Sequence, residues 1–150
     1  PPTIKSNKVC WYKKRKSKVF VCEMVDRLLH LQINIMIKLL DIWAKNIKTN
    51  NANQVAKLYH KDGLLLGTFS NIERNSRELI FEYFENLFTS KIDVEIITKF
   101  EHVAESISTV AGFYDFTVND KKIKARFTFV FLRNKERWEI LSHHSSLLPE

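Results

Sequence analysis

The chain has 150 residues, 45 % of them apolar and 27 % charged, with three Gly and three Pro. That is the composition of one globular domain burying about 70 % of its unfolded surface. It excludes collagen-like or wholly disordered character, and no apolar run reaches the ~18 residues of a membrane-crossing helix. The net charge of +7 is concentrated at one end. Residues 1–30 hold eight Lys and Arg against Glu23 and Asp26, whereas residues 31–150 hold sixteen basic and fifteen acidic side chains. Attraction to polyanions therefore belongs to the leader, not to the body of the chain.

Residues 1–24 have no clean period, and their basic run Lys13-Lys14-Arg15-Lys16 precedes the short apolar Val19-Phe20-Val21-Cys22. They read as a basic leader, irregular or partly helical, outside a single domain at 25–150. Two roles are open to it: a solvated appendage, or a polybasic arm for nucleic acid or an anionic membrane. The sequence begins at Pro1 and is expected to be a processed product or a piece of a longer chain. Both cysteines, Cys10 and Cys22, lie in the leader. The body therefore offers no thiol nucleophile or thiolate ligand, which fits a reducing, cytoplasmic compartment.

From about Val25 to Lys48 a helical stripe runs through Ile33, Ile37, Leu40, Ala44 and Ile47, with Trp43 beside it. Asn50-Asn51 ends that helix. Asn51-x-x-Gln54 reads as a capping box for a short second helix with Val55, Leu58 and Tyr59 inside and Gly63 as its left-handed C-terminal residue. Leu64-Leu65-Leu66 is a short buried strand. Asn75-x-x-Glu78 opens a third helix carrying Ile80, Tyr83, Phe84 and Leu87.

After Ser90 the period becomes two. Strands are expected over Ile92–His102, Ser106–Val118, Lys122–Arg133 and Arg137–Ser145, with breaks short enough for an antiparallel meander. The fold class is α+β: a curved antiparallel sheet of about four long strands plus a short one, packed on three helices as a cone. A pocket between helices and concave face is the natural ligand site.

Several residues are candidates for chemistry. His143 and His144 end the last strand. Alternation sends them to opposite faces, with Trp138, Ile140, Ser142 and His144 on one side and Glu139, Leu141, His143 and Ser145 on the other. Either imidazole could act as acid or base, or serve only structure. Asp115 is the one carboxylate placed to be a buried base. Arg126 could anchor a carboxylate or form a salt bridge. If Phe127, Phe129 and Phe131 face the helices, Arg126 faces away from them. Tyr59, Tyr83, Tyr114 and Trp43 could line a pocket or simply pack. No metal site is expected, since adjacent strand residues cannot easily share an ion. No phosphate loop or G-x-S-x-G elbow occurs, and no cofactor is expected.

Leu64-Leu65-Leu66-Gly67-Thr68-Phe69-Ser70-Asn71, Tyr83-Phe84-Glu85, Gly112-Phe113-Tyr114-Asp115-Phe116, Arg126–Phe131, His143-His144-Ser145-Ser146 and Pro149-Glu150 occur in one order. Together they resemble bacterial proteins similar to the association domain of calcium/calmodulin-dependent protein kinase II. These sit in the nuclear-transport-factor-2-like superfamily with the SnoaL-like and ketosteroid-isomerase-like proteins. The resemblance covers roughly residues 33–150. It implies a cone that dimerises through its sheet, with larger rings in some members and an unknown small ligand as a further partner. It leaves two functions open: a ligand-binding or oligomerisation module, or an isomerase-, cyclase- or dehydratase-type enzyme using a pocket histidine. The kinase domain carries pocket arginines where this chain has Phe129 and Ser145.

Overall fold

The computed structural model describes residues 27, 31, 38–135 and 137–149. The basic leader, and Ile33 and Ile37 of the expected first stripe, lie outside the described residues. Helix α1 runs over 38–48 and buries Leu40, Trp43, Ala44 and Ile47, the three- and four-residue steps of one helical face. It stops where Asn50 takes a left-handed φ of 51°, a conformation asparagine tolerates better than most residues. Helix α2 is Ala52–Ala56, and the Asn51 side chain accepts from the Gln54 backbone N–H at 3.1 Å, as the capping motif requires.

Two expectations fail just after this point. Lys57 is already the C-cap of α2, so Tyr59 does not belong to that helix. It opens strand β1, Tyr59–Leu66, which is longer than Leu64–Leu66. Gly63 is no helix cap either, because no glycine of the described residues has positive φ. It lies in β1, where a Cβ would stand 3.0 Å from the His60 carbonyl oxygen and 3.2 Å from that of Ile140. Close backbone approach, rather than backbone handedness, explains it.

Helix α3, Arg77–Leu87, turns Ile80, Tyr83 and Phe84 inward. Its N-cap is Ser76, one residue later than expected, with the hydroxyl accepting from Leu79 N–H at 3.3 Å. Ser76→Ala should therefore cost about 1 kcal/mol in chemical denaturation, and Asn75→Ala almost nothing. Equal losses would refute that placement. Arg77 then ties the helix down: its Nε and Nη2 donate to the Tyr59 carbonyl at 2.9 and 2.6 Å, and Nη2 lies 3.5 Å from Glu139.

The remaining strands are β2 Ile92–Val103, β3 Ile107–Val118, β4 Lys121–Asn134 and β5 Arg137–Leu147, within a few residues of expectation. Sheet order is β1-β5-β4-β3-β2. The meander β2 to β5 is antiparallel, but β1 runs parallel to β5. The sheet is mixed because β1 reaches its partner only after the chain has passed through α3 and three other strands. One extra residue bulges from β2 at Ile97 and one from β5 at Leu141, where the registers shift. Bulges bend strands and increase their twist, giving the sheet the concave face on which the helices lie. Val110, Tyr114, Phe127, Phe129, Phe131 and Ile140 fill that face.

Candidate functional site

Residues directly opposite across a sheet share a face, so the registers decide which side chains meet. His143 stands opposite Phe129 and beside Leu65, and so points into the cone. The bulge at Leu141 corrects the simple alternation: Trp138 and Ile140 lie inside together with His143 and Ser145, while His144 points out.

His143 is 2 % exposed. Its ring stacks on Phe129 with centroids 3.8 Å apart and meets Trp43 edge-on at 5.2 Å. Both ring nitrogens have partners: the Tyr59 hydroxyl at 2.8 Å from Nδ1 and the Tyr114 hydroxyl at 3.3 Å from Nε2. The Trp43 indole N–H donates to the Tyr59 oxygen at 3.2 Å. Tyr114 donates to Ser145 Oγ, which also meets Thr68 Oγ1.

These bonds run in one sense. Indole can only donate, so the Tyr59 oxygen accepts and its own proton is free for Nδ1. The ring hydrogen then sits on Nε2 and is donated to Tyr114, which donates to Ser145, which donates to Thr68. The other tautomer would strand the Tyr59 proton in a buried site, a cost of about 1–3 kcal/mol. Burial, with the nearby His144 adding to it, lowers the His143 pKa to about 3. Burial likewise raises Tyr59 and Tyr114 well above the usual tyrosine value. Every member of the chain is thus neutral at neutral pH. A general base works best when its pKa lies near the working pH, so the network is better suited to fixing side chains than to taking a proton.

The other candidates lie elsewhere. Arg126 is on the outer face, opposite Phe113 and Ser146, and its Nε donates to Ser146 Oγ at 3.1 Å. Asp115 is also outside, 2.9 Å from the Lys122 ammonium, whose pKa rises through that hydrogen bond and charge. Neither reaches His143. His144 shares with Arg126 a concavity of about 370 Å³ on the outer face. Tyr83 stands apart from the chain, below the Gly67–Ser70 turn. A Cβ on Gly67 would come within 2.6 Å of its ring, so glycine there lets the backbone lie on the phenol. Of the sequence candidates, the structure therefore joins Trp43, Tyr59, Tyr114 and His143, and separates Arg126, Asp115, His144 and Tyr83. Thr68 was missed as a member of the network, because nothing local links it to Ser145, 77 residues away.

A five-stranded cone with its helices on the concave face defines the nuclear-transport-factor-2-like class. The fold is shared with a Streptomyces avermitilis protein of that class, provisionally named a dehydratase (TM-score 0.73, 9 % identity, 81 % of this chain and 99 % of that one). It is shared too with a provisionally named ketosteroid isomerase from Parabacteroides distasonis (TM-score 0.64, 21 % identity, 75 % and 85 %). A nearer match is a Xanthomonas campestris protein provisionally named a calcium/calmodulin-dependent protein kinase II association domain. It is 38 % identical, with TM-score 0.73 over 77 % of this chain and 86 % of that one. The pattern of the calcium/calmodulin-dependent protein kinase II association domain family matches residues 32–149, and the chain belongs to that family. No curated protein matches it.

Proposed function

We propose that the chain is a homodimeric assembly module that pairs through the outer face of its sheet. The observation that carries this reading is the set of uncovered apolar side chains, Phe100, Phe113 and Leu66, on that face. Phe100, Ala111, Thr128, His144 and Leu66 stand side by side across all five strands. Phe100 is 67 % exposed, and Phe113 in the next row 44 %. Contiguous apolar patches of this kind mark interaction surfaces. Five strands span about 19 Å; the four of 11–14 residues reach about 36 Å or more, and the eight of β1 about 26 Å. That is roughly 700 Å² per partner, close to the about 800 Å² of a standard stable interface. A two-fold pairing uses the same patch on both copies, so one partly apolar patch serves both. Arg126, Ser146 and His144 supply polar contacts within it.

Sedimentation on dilution should show a dimer well below micromolar concentration. Phe100→Asp should shift it to monomer by on the order of a hundredfold in Kd, since each copy would bury an unpaired charge. A wild-type monomer, or a variant that dimerises unchanged, would defeat the reading.

An isomerase- or dehydratase-type enzyme is the second reading, favoured by the convergence of His143 and Tyr114 inside the cone. It is the weaker one, because its base would have to be an imidazole that burial holds near pKa 3.

A further inference from the structure

Arg74 lies outside both the interior chain and the outer face. Its backbone forms an antiparallel bridge with Leu65, with N–H···O distances of 2.8 and 3.0 Å in the two directions. Leu65 faces inward, so Arg74 on the opposing position faces inward as well. Its guanidinium comes close enough to Tyr83 to act on the phenol's titration. Among the described residues, Arg74 Nε is buried with no hydrogen-bond partner, and no carboxylate forms an ion pair with this arginine. A buried donor left unpaired is rare and costs stability, so its retention calls for a reason.

The reason is beside it. Arg74 lines a cleft of about 330 Å³ at the end of α3, a volume suited to a small ligand. Phe69, Leu87 and Val118 form its apolar side. Asn86, Tyr83 and Ser90 bring polar groups to the other. The Ser90 hydroxyl accepts from Asn119 Nδ2 at 3.3 Å and so keeps its own proton to give. Tyr83 is pushed up to about 12, chiefly by burial, and remains a neutral hydroxyl at neutral pH.

We propose that this cleft binds a small organic carboxylate, its anionic end held by Arg74 with Asn86 and Ser90 and its apolar body lying against Phe69, Leu87 and Val118. A guanidinium can pair with a carboxylate in two parallel bonds. Arg74 is the one cation among the described lining residues, which matches one negative charge. A phosphate dianion would leave charge uncompensated against apolar walls. The site shares no lining residue with the proposed dimer face, so it stands whether or not that assembly forms.

Calorimetric titration with benzoate, benzamide and inorganic phosphate tests it. Benzoate should bind the wild-type protein with a Kd of about 1 mM or tighter. Benzamide, equal in shape but uncharged, and phosphate should each bind at least about tenfold more weakly. Arg74→Gln should lose about tenfold or more in benzoate affinity, and Arg74→Lys should fall between. Backbone amide shifts on adding benzoate to the wild-type protein give a readout that needs no variant. They should centre on Ser70, Arg74, Asn86 and Ser90 and leave His144 unmoved. Equal binding of benzoate and benzamide, tighter binding of phosphate, unchanged affinity in Arg74→Gln, or shifts confined elsewhere would each overturn the proposal.

Discussion

Gly112→Ala should be the most damaging of the three glycine-to-alanine changes open to this chain. Gly112 lies on the inner face of β3, opposite Lys99, one step from the Ile97 bulge in β2. A Cβ there would stand 1.9 Å from the Thr98 carbonyl oxygen and 2.8 Å from its carbonyl carbon. The bulge has driven the β2 backbone onto the space that any side chain would use, and only glycine permits that approach. On Gly67 the obstacle is the Tyr83 ring, a side chain that can turn aside. On Gly112 it is main chain held in a ladder. The expected loss is about 3 kcal/mol or more, a large part of a domain's typical stability. Urea denaturation measures it. A loss under about 1 kcal/mol would show that β2 can retreat and that the bulge is not fixed.

The second large effect is in pH. His143 is held near pKa 3 when folded, against about 6.5 when unfolded. Between those values the unfolded chain binds the extra proton, so stability rises with pH. The contribution is complete above about 6.5 and is lost as pH falls toward 3. Its steepest slope is about 1.4 kcal/mol per pH unit, which gives roughly 2 kcal/mol lost between pH 7 and pH 5. Carboxylates titrate mainly below that range. His143→Gln keeps a donor and an acceptor at the site without a group that titrates there. It should be less stable than wild type at pH 7 by about 1–3 kcal/mol, yet almost flat from pH 7 to pH 5. The two curves should therefore converge on acidification. Denaturant midpoints at four pH values decide it, and parallel curves would remove His143 as the source.

Much of the architecture was legible because it is written in local periodicity. The two-residue alternation of Phe127, Phe129 and Phe131 fixes the inner face of β4, and the step from Leu40 to Ala44 to Ile47 fixes that of α1. The Asn51 cap could be found from spacing alone. What was not legible depends on partners far along the chain. Tyr59 carries no mark separating the end of a helix from the start of a strand. It becomes strand because it pairs with Ile140 of β5, 81 residues on, while the Arg77 side chain takes its carbonyl. The parallel pairing of β1 with β5 joins Leu65 to His143, and no turn signal announces such a pair. Counting along β5 from Trp138 puts the wrong histidine inside, because Leu141 adds a residue. Counting across from Phe129 puts the right one there. Arg74 and Thr68 gave no signal, since each gains its meaning from a loop folded over α3 and β5.

The bulge has a consequence for how the end of β5 tolerates error. A strand that slips by one residue ordinarily exchanges every side chain between its two faces. Here the four residues that follow Ser142 are two doublets, His143-His144 and Ser145-Ser146. A slip that carried His144 and Ser146 inward would bring the same imidazole and hydroxyl to the same neighbours, and leave a histidine and a serine outside. The doublets make this segment degenerate with respect to phase. The choice of phase must then come from Trp138 and Ile140 upstream, which are buried and have no twin beside them.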